Sequence, residues 1–271
     1  MSFAKAEFHI PLDRKYFSAL ANALGDTPTS TIEFHLLKRH LCDVHAACVP
    51  GERIKFHAAV IRPHPLPDEL SAYGQDAVLI RKLLGEFKGW RAVEVDCDIA
   101  QELKEIIERD PIESIGKKSV RLLNDIFFVL TRPVNKFSHE SVRLMTPDDL
   151  YLVESSEFSG HGDSFGSTIQ LLTEGIVACG VVRDDQGGEK PVSMANTFAI
   201  SNYHVDIGVV TLSEWRHKGL ACAAASLVAE KAQALGYIPV WSTGENNLAS
   251  QNLAKKLGFT EVSKRTYLIM D

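Results

Sequence analysis

One stretch restricts the fold of this chain more than any other. The β-branched run Val205-Asp206-Ile207-Gly208-Val209-Val210-Thr211 is followed by the basic segment Arg216-His217-Lys218-Gly219 and then by a small-residue run from Leu220 to Leu235. A strand therefore feeds a short cationic loop, and the loop opens a helix. The first N–H groups of any helix have no intrahelical partner. They lie at the positive end of the helix dipole and suit an anion such as a pyrophosphate. Gly219 lets the backbone come close to such a ligand. The slim residues Leu220-Ala221-Cys222-Ala223-Ala224-Ala225-Ser226 leave room for something bulky beside the first turns.

Length and charge set the frame. The 271 residues are long for one small domain and sufficient for two. Hydrophobic residues make up 45% and charged ones 24%, which fits a globular protein. A net charge of −6 argues against a nucleic-acid surface, which is normally basic. No apolar run approaches the ~20 residues of a membrane span. The N-terminus carries Lys5, Glu7, Asp13, Arg14 and Lys15 where a signal peptide needs an apolar stretch. Five cysteines without a regular framework fit a reduced, cytoplasmic setting. No internal repeat is visible in the sequence.

The pattern predicts a boundary near Thr131 to Ser138, giving domains 1–137 and 138–271. In the second, strands are expected at Ser141–Met145, Gly175–Arg183, Pro191–Ser201, Val205–Leu212 and Ile238–Ser242, with two more at Phe259–Val262 and Arg265–Met270. Thr146-Pro147-Asp148-Asp149 reads as a helix start, Asp185-Gln186-Gly187-Gly188 as a hairpin turn, and Gly236 and Gly258 as helix stops. Glu157 to Gly166 reads as a loop and Ser167 to Thr173 as a short helix. In the first domain, helices are expected at Tyr16–Leu24, Thr29–Val44, Ala77–Phe87 and Ile99–Arg109, and strands at Ile54–Ile61, Trp90–Val95 and Val120–Leu130. The fold class is α/β (α+β).

Two blocks resemble the Gcn5-related N-acetyltransferase (GNAT) superfamily. Arg216, Gly219 and Ala221 match its Gln/Arg-x-x-Gly-x-Gly/Ala signature. Asn247-Leu248-Ala249-Ser250 followed by Leu253-Ala254-Lys255-Lys256-Leu257-Gly258-Phe259 resembles its second signature, an Asn-led helix ending in Leu-Gly-Phe. The whole chain looks like the larger bacterial members with an N-terminal α/β extension, most clearly after about Ser141. The resemblance implies a mixed, mostly antiparallel sheet flanked by helices. It also implies acetyl transfer from acetyl-coenzyme A to a primary amine by direct attack, with no metal. On that pattern Val209, Val210 and Thr211 hold the pantetheine arm through their backbone. Arg216, His217, Lys218, Gly219, Leu220 and Ala221 hold the pyrophosphate, and Asn247 and Ser250 contact the cofactor.

The catalytic side departs from the family. Many members carry a tyrosine five residues before the Phe of Leu-Gly-Phe, where this chain has Ala254. Ser250, one helical turn earlier, is the substitute acid, set against a helix hydroxyl bonded to its own backbone. Asp206, with His204 two positions before it, is the candidate base, set against a solvated sheet-edge residue. Glu157, His161 and Asp163 lie in the loop that walls the family's acceptor site, and Glu157 is also a candidate catalytic group. The missing tyrosine keeps open a protein that binds acetyl-coenzyme A without turning it over.

Two further patterns compete. Gly162-Asp163-Ser164-Phe165-Gly166 matches the Gly-x-Ser-x-Gly nucleophile elbow, but Glu154 to Ser159 is not the strand that elbow requires. A serine hydrolase built on Ser164 is thus a remote alternative. His35, His40, Cys42, His45, Cys48, His57 and His64 lack the tight paired spacing of a zinc site. The expected partner is a small-molecule or peptide amine, with neither nucleic acid nor membrane. The sequence leaves a homodimer, the acceptor's identity and the acyl length open.

Overall fold

A computed structural model describes residues 6–112, 119–183 and 187–271. The expected turn residues Asp185 and Gln186, like Lys5, lie outside them. The chain forms two compact units. One comprises the residues up to Ile126 together with Lys264–Asp271, and the other is Phe127–Ser263. The sequence pattern predicts a single linear boundary at 137/138.

The first unit begins with β1 (Glu7–His9), α1 (Phe17–Leu24), α2 (Thr31–Arg39), β2 (Cys42–Val49), β3 (Glu52–Pro63) and β4 (Glu69–Gly74). It continues with α3 (Ala77–Leu84), β5 (Ala92–Val95), α4 (Cys97–Arg109) and the start of β6 (Val120–Val129). Strands β1 to β4 pair antiparallel in sequence order, and β4 pairs parallel with β5. The last residues of β12 (Thr260–Met270) come next, then β6. Helix α4 presents Ile99, Leu103, Ile106 and Ile107 at helical spacing, and these join Ile80 and Leu83 of α3 in one core. Phe17 and Leu20 of α1 and Leu36 and Leu37 of α2 form a separate one.

The second unit contains β7 (Val142–Leu144), α5 (Leu150–Glu154), α6 (Thr168–Glu174), β8 (Val177–Arg183), β9 (Glu189–Ile200) and β10 (His204–Thr211). After these come α7 (Leu220–Ala234), β11 (Ile238–Gly244), α8 (Leu248–Leu257) and the start of β12. Strands β7 to β10 pair antiparallel, and β10 pairs parallel with β11. The end of β6 follows, then β12. The order of elements is thus the same in both units: strand, two helices, three strands, helix, strand, helix, strand. The two long strands β6 and β12 are each divided between the units, and the first unit takes the Lys264–Met270 part of β12 from the far end of the sequence. A repeat invisible in the sequence is present in the topology.

Helix α7 explains its own composition. Ala224, Ala225, Ala229 and Ala232 are fully buried, so the helix backbone lies close against its sheet. Gly236 and Gly258 have positive φ and end α7 and α8 as expected.

Several expectations need correction. Thr29–Val44 is not one helix: α2 stops at Arg39, His40 takes a left-handed conformation with φ 57°, and Cys42 begins a strand. That strand is buried on both faces, so its residues show no period-2 alternation. Strands β1 and β4 were not foreseen. Phe259–Val262 and Arg265–Met270 are one strand. The loop at Ser159–Phe165 is a 3₁₀ segment.

Candidate functional site

The site grows from the parallel pair in the second unit. Strands β10 and β11 are in register only at His204↔Ile238, Val205↔Pro239 and Asp206↔Val240. A register shift in the β9–β10 ladder between Asp206 and Ile207 marks the place where the pairing ends. Beyond it the strands part. The gap is a groove of about 920 Å³, lined by Ile207–Thr211 on one side, Trp241–Thr243 on the other, and the first turn of α7.

The basic loop closes one end. A 3₁₀ turn at Ser213–Trp215 leads into Arg216, His217 and Lys218, all exposed. His217 and Gly219 both have positive φ, 62° and 84°, and this double reversal turns the chain from strand into helix. No side chain caps the N-terminus of α7. A Cβ built on Gly219 would meet nothing within 4 Å, so the space before the helix start is open. The Lys218 Nζ lies 4.1 Å from the centroid of the Trp215 ring, and Arg216 Nε donates to the Thr211 carbonyl at 3.3 Å. Lys256 of α8 adds a further cation to the lining. An uncapped helix start, open space and converging cations fit a pyrophosphate.

Helix α8 supplies the remaining wall. Asn247 caps it by accepting from the Ser250 N–H at 3.2 Å. The Ser250 hydroxyl accepts from Trp241 Nε1 at 2.9 Å. An indole N–H can only donate, so the Ser250 oxygen must accept and its own proton is left to point elsewhere. Ser250 lines the groove; Ala254 is fully buried and is not among the described lining residues. Cys222 also lines the groove, and burial pushes its thiol pKa up. It stays protonated near neutrality and is a poor nucleophile.

All the expected cofactor residues, Val209 to Thr211, Arg216 to Ala221, Asn247 and Ser250, line this one groove. Asp206 is buried and lies at the closed apex, one residue before the lining begins. Glu157 is exposed, and neither it nor Asp206 is among the described lining residues. His161 is tied to its own segment, with Nδ1 3.1 Å from the Phe158 carbonyl oxygen and its ring edge-on to Phe158. Ser164 is buried in the 3₁₀ segment, without the strand a nucleophile elbow needs. No group of three or more metal-ligating side chains occurs among the described residues.

Sequence reasoning missed Trp215, Trp241 and Lys256. For Lys256 a signal existed: Ala249, Leu253 and Lys256 stand at i, i+4 and i+7 on one face of α8. The roles of the two tryptophans depend on strand divergence and had no local signal.

A parallel pair that splays over an uncapped, glycine-led helix defines a GNAT-type domain. Residues 143–268 match the family model described as GNAT acetyltransferase. Among solved structures, a GCN5-related N-acetyltransferase-like protein from Streptococcus suis is similar at 18% identity and a TM-score of 0.65, covering 95% of this chain and 99% of that one. A GCN5-related N-acetyltransferase from Sphaerobacter thermophilus is similar at 13% identity and a TM-score of 0.60, covering 97% and 94%. A tandem GNAT protein from the clavulanic acid biosynthesis pathway is similar at 13% and 0.55, covering 97% and 98%. These likenesses concern the fold. No curated protein matches the chain. Among the described residues, no helix is long and apolar enough to cross a membrane.

Proposed function

We propose that this protein transfers an acetyl group from acetyl-coenzyme A to a primary amine by direct attack. The observation that carries the reading is the groove between β10 and β11, which ends at the uncapped, cationic start of α7. The parted strands offer backbone groups to a pantetheine arm, and Arg216, Lys218 and Lys256 face the phosphates. Asp206, at the apex, takes the proton that the attacking amine loses as its nitrogen bonds the acetyl carbon. Ser250 gives a proton to the sulfur as the carbon–sulfur bond breaks, with Trp241 holding the hydroxyl as a donor. The protonated state of Cys222 favours direct attack over an acyl-cysteine route.

A second reading, binding without turnover, draws on Ala254, which leaves the family's usual tyrosine position without an acid. Both readings require the ligand. Coenzyme A and acetyl-coenzyme A should each raise the melting temperature, by ~2.7 kcal/mol of stabilisation at 100 times Kd. Folded protein whose melting temperature is unmoved by millimolar ligand would remove both.

A further inference from the structure

We infer that the first unit is a second copy of the same fold whose equivalent groove is shut by its own side chains, so that each chain takes one coenzyme A, in the second unit. The inference rests on reading the groove beside α7 as the coenzyme A site.

The two units match at the level of register. In the first, β4 and β5 are parallel partners only at Glu69↔Ala92, Leu70↔Val93 and Ser71↔Glu94. That is the same three-residue pairing as His204–Asp206 with Ile238–Val240. A helix follows β4 as α7 follows β10. The position where a cofactor arm would enter is therefore next to Ala72, just past the last parallel pair.

The Arg265 guanidinium occupies that position. Its Nη2 donates to the Ala72 carbonyl at 2.8 Å, its Nε to Glu94 Oε2 at 2.9 Å, and its Nη1 to Asp96 Oδ1 at 2.8 Å. Its carbon lies 4.3 Å from the Tyr73 ring centroid. Arg265 is only 2% exposed. The side chain thus ties β4 to the end of β5 across the gap that stands open in the second unit. Gln75 adds a second tie, with Nε2 donating to Asp96 Oδ2 at 3.2 Å.

The phosphate position is closed as well. The loop before α7 spans Leu212 to Gly219, whereas the loop before α3 is only Gln75-Asp76. The Asp76 carboxylate accepts from the Val78 and Leu79 N–H groups at 2.9 and 3.0 Å. An incoming phosphate would have to displace a carboxylate from the very donors it needs. Asp96, bound by Arg265 Nη1 and Gln75 Nε2, adds a second carboxylate beside this loop. Where the second unit offers Gly219 and three cations, the first offers a resident anion.

Calorimetric titration of the full chain with coenzyme A should give one site per chain. The double variant Arg216→Glu/Lys218→Glu, which changes two exposed side chains, should weaken binding roughly 100-fold, since each charged contact to phosphate is worth about tenfold or more. Amide exchange should show ligand protection around 207–221 and 247–256 and none around 72–79. Two sites in wild type, protection around 72–79, or wild-type affinity in the double variant would each overturn the inference. No binding at all in wild type would instead overturn the coenzyme A reading on which it stands.

Discussion

At the scale of residues, the proposed chemistry turns on Asp206, Ser250 and Trp241. Trp241 can only donate to Ser250, so Trp241→Phe should cost nearly as much kcat as Ser250→Ala. Both losses should be roughly tenfold or less, because a coenzyme A thiolate is already a fair leaving group near pH 8. Asp206→Asn keeps the shape at the apex and removes the proposed base, so kcat should fall by ~10²–10⁴-fold with cofactor binding nearly unchanged. Rate–pH profiles separate the roles. The limb that reports the base should vanish in Asp206→Asn and persist in Ser250→Ala. If it persists in Asp206→Asn, the proton goes elsewhere, with Glu157 and His161 next to be tested. The cofactor side of this site was legible in the sequence because glycine, cations and small residues follow one another along a single loop. The catalytic side was legible only as candidates: a hydroxyl held by an indole from another strand leaves no trace in spacing.

At the scale of elements, the proposed binding rests on the strand–loop–helix unit from β10 to α7, where Gly219 turns the chain at φ 84°. At φ 84° a valine there would be strained, at ~1–2 kcal/mol, and its side chain would project into space that holds no protein atom. Gly219→Val should thus weaken coenzyme A binding by tenfold or more, while the melting temperature of the free protein falls by only a few degrees. Tight binding in a folded variant would move the phosphate site. Strand β6 carries a different prediction. Burial first, and then repulsion by Glu69, pushes the Asp125 carboxyl up to about 7 from 3.8. The native state then keeps a proton that the unfolded chain has released, so this residue's contribution to stability falls as pH rises between those values, by up to about 4 kcal/mol. Asp125→Asn should match wild type near pH 4 and exceed it at pH 8 in urea midpoint. An equal difference at both pH values would contradict this. Elements were legible where apolar periodicity was strong, as in α4, and α7 was legible from its run of small residues between Gly219 and Gly236. Strand β2 was lost because Ala46-Ala47-Cys48 carries no strand signature, and β12 was read as two strands because Ser263-Lys264 interrupts its apolar pattern. That polar pair stands where the chain passes from one unit to the other.

At the scale of the whole molecule, the sequence pattern predicts a linear boundary near 137/138, and the chain folds into two compact units, of which the first is discontinuous in sequence. The first unit takes its last strand segment, Lys264–Asp271, from far away in sequence, so no single cut between residues describes the two units. The repeat was hidden for a related reason: the loop that made the second unit recognisable is reduced in the first to Gln75-Asp76, and the remaining pairing register is not written in side-chain type. Thiol release tests the proposed acetyl transfer most directly. Protein shown to bind acetyl-coenzyme A should release free thiol in step with amine acetylation when offered a panel of primary amines, and Arg216→Glu/Lys218→Glu should suppress that release. Tight binding with no amine-dependent thiol release across small amines, polyamines, aminoglycosides and peptides would contradict the account and leave a protein that holds the cofactor without turning it over.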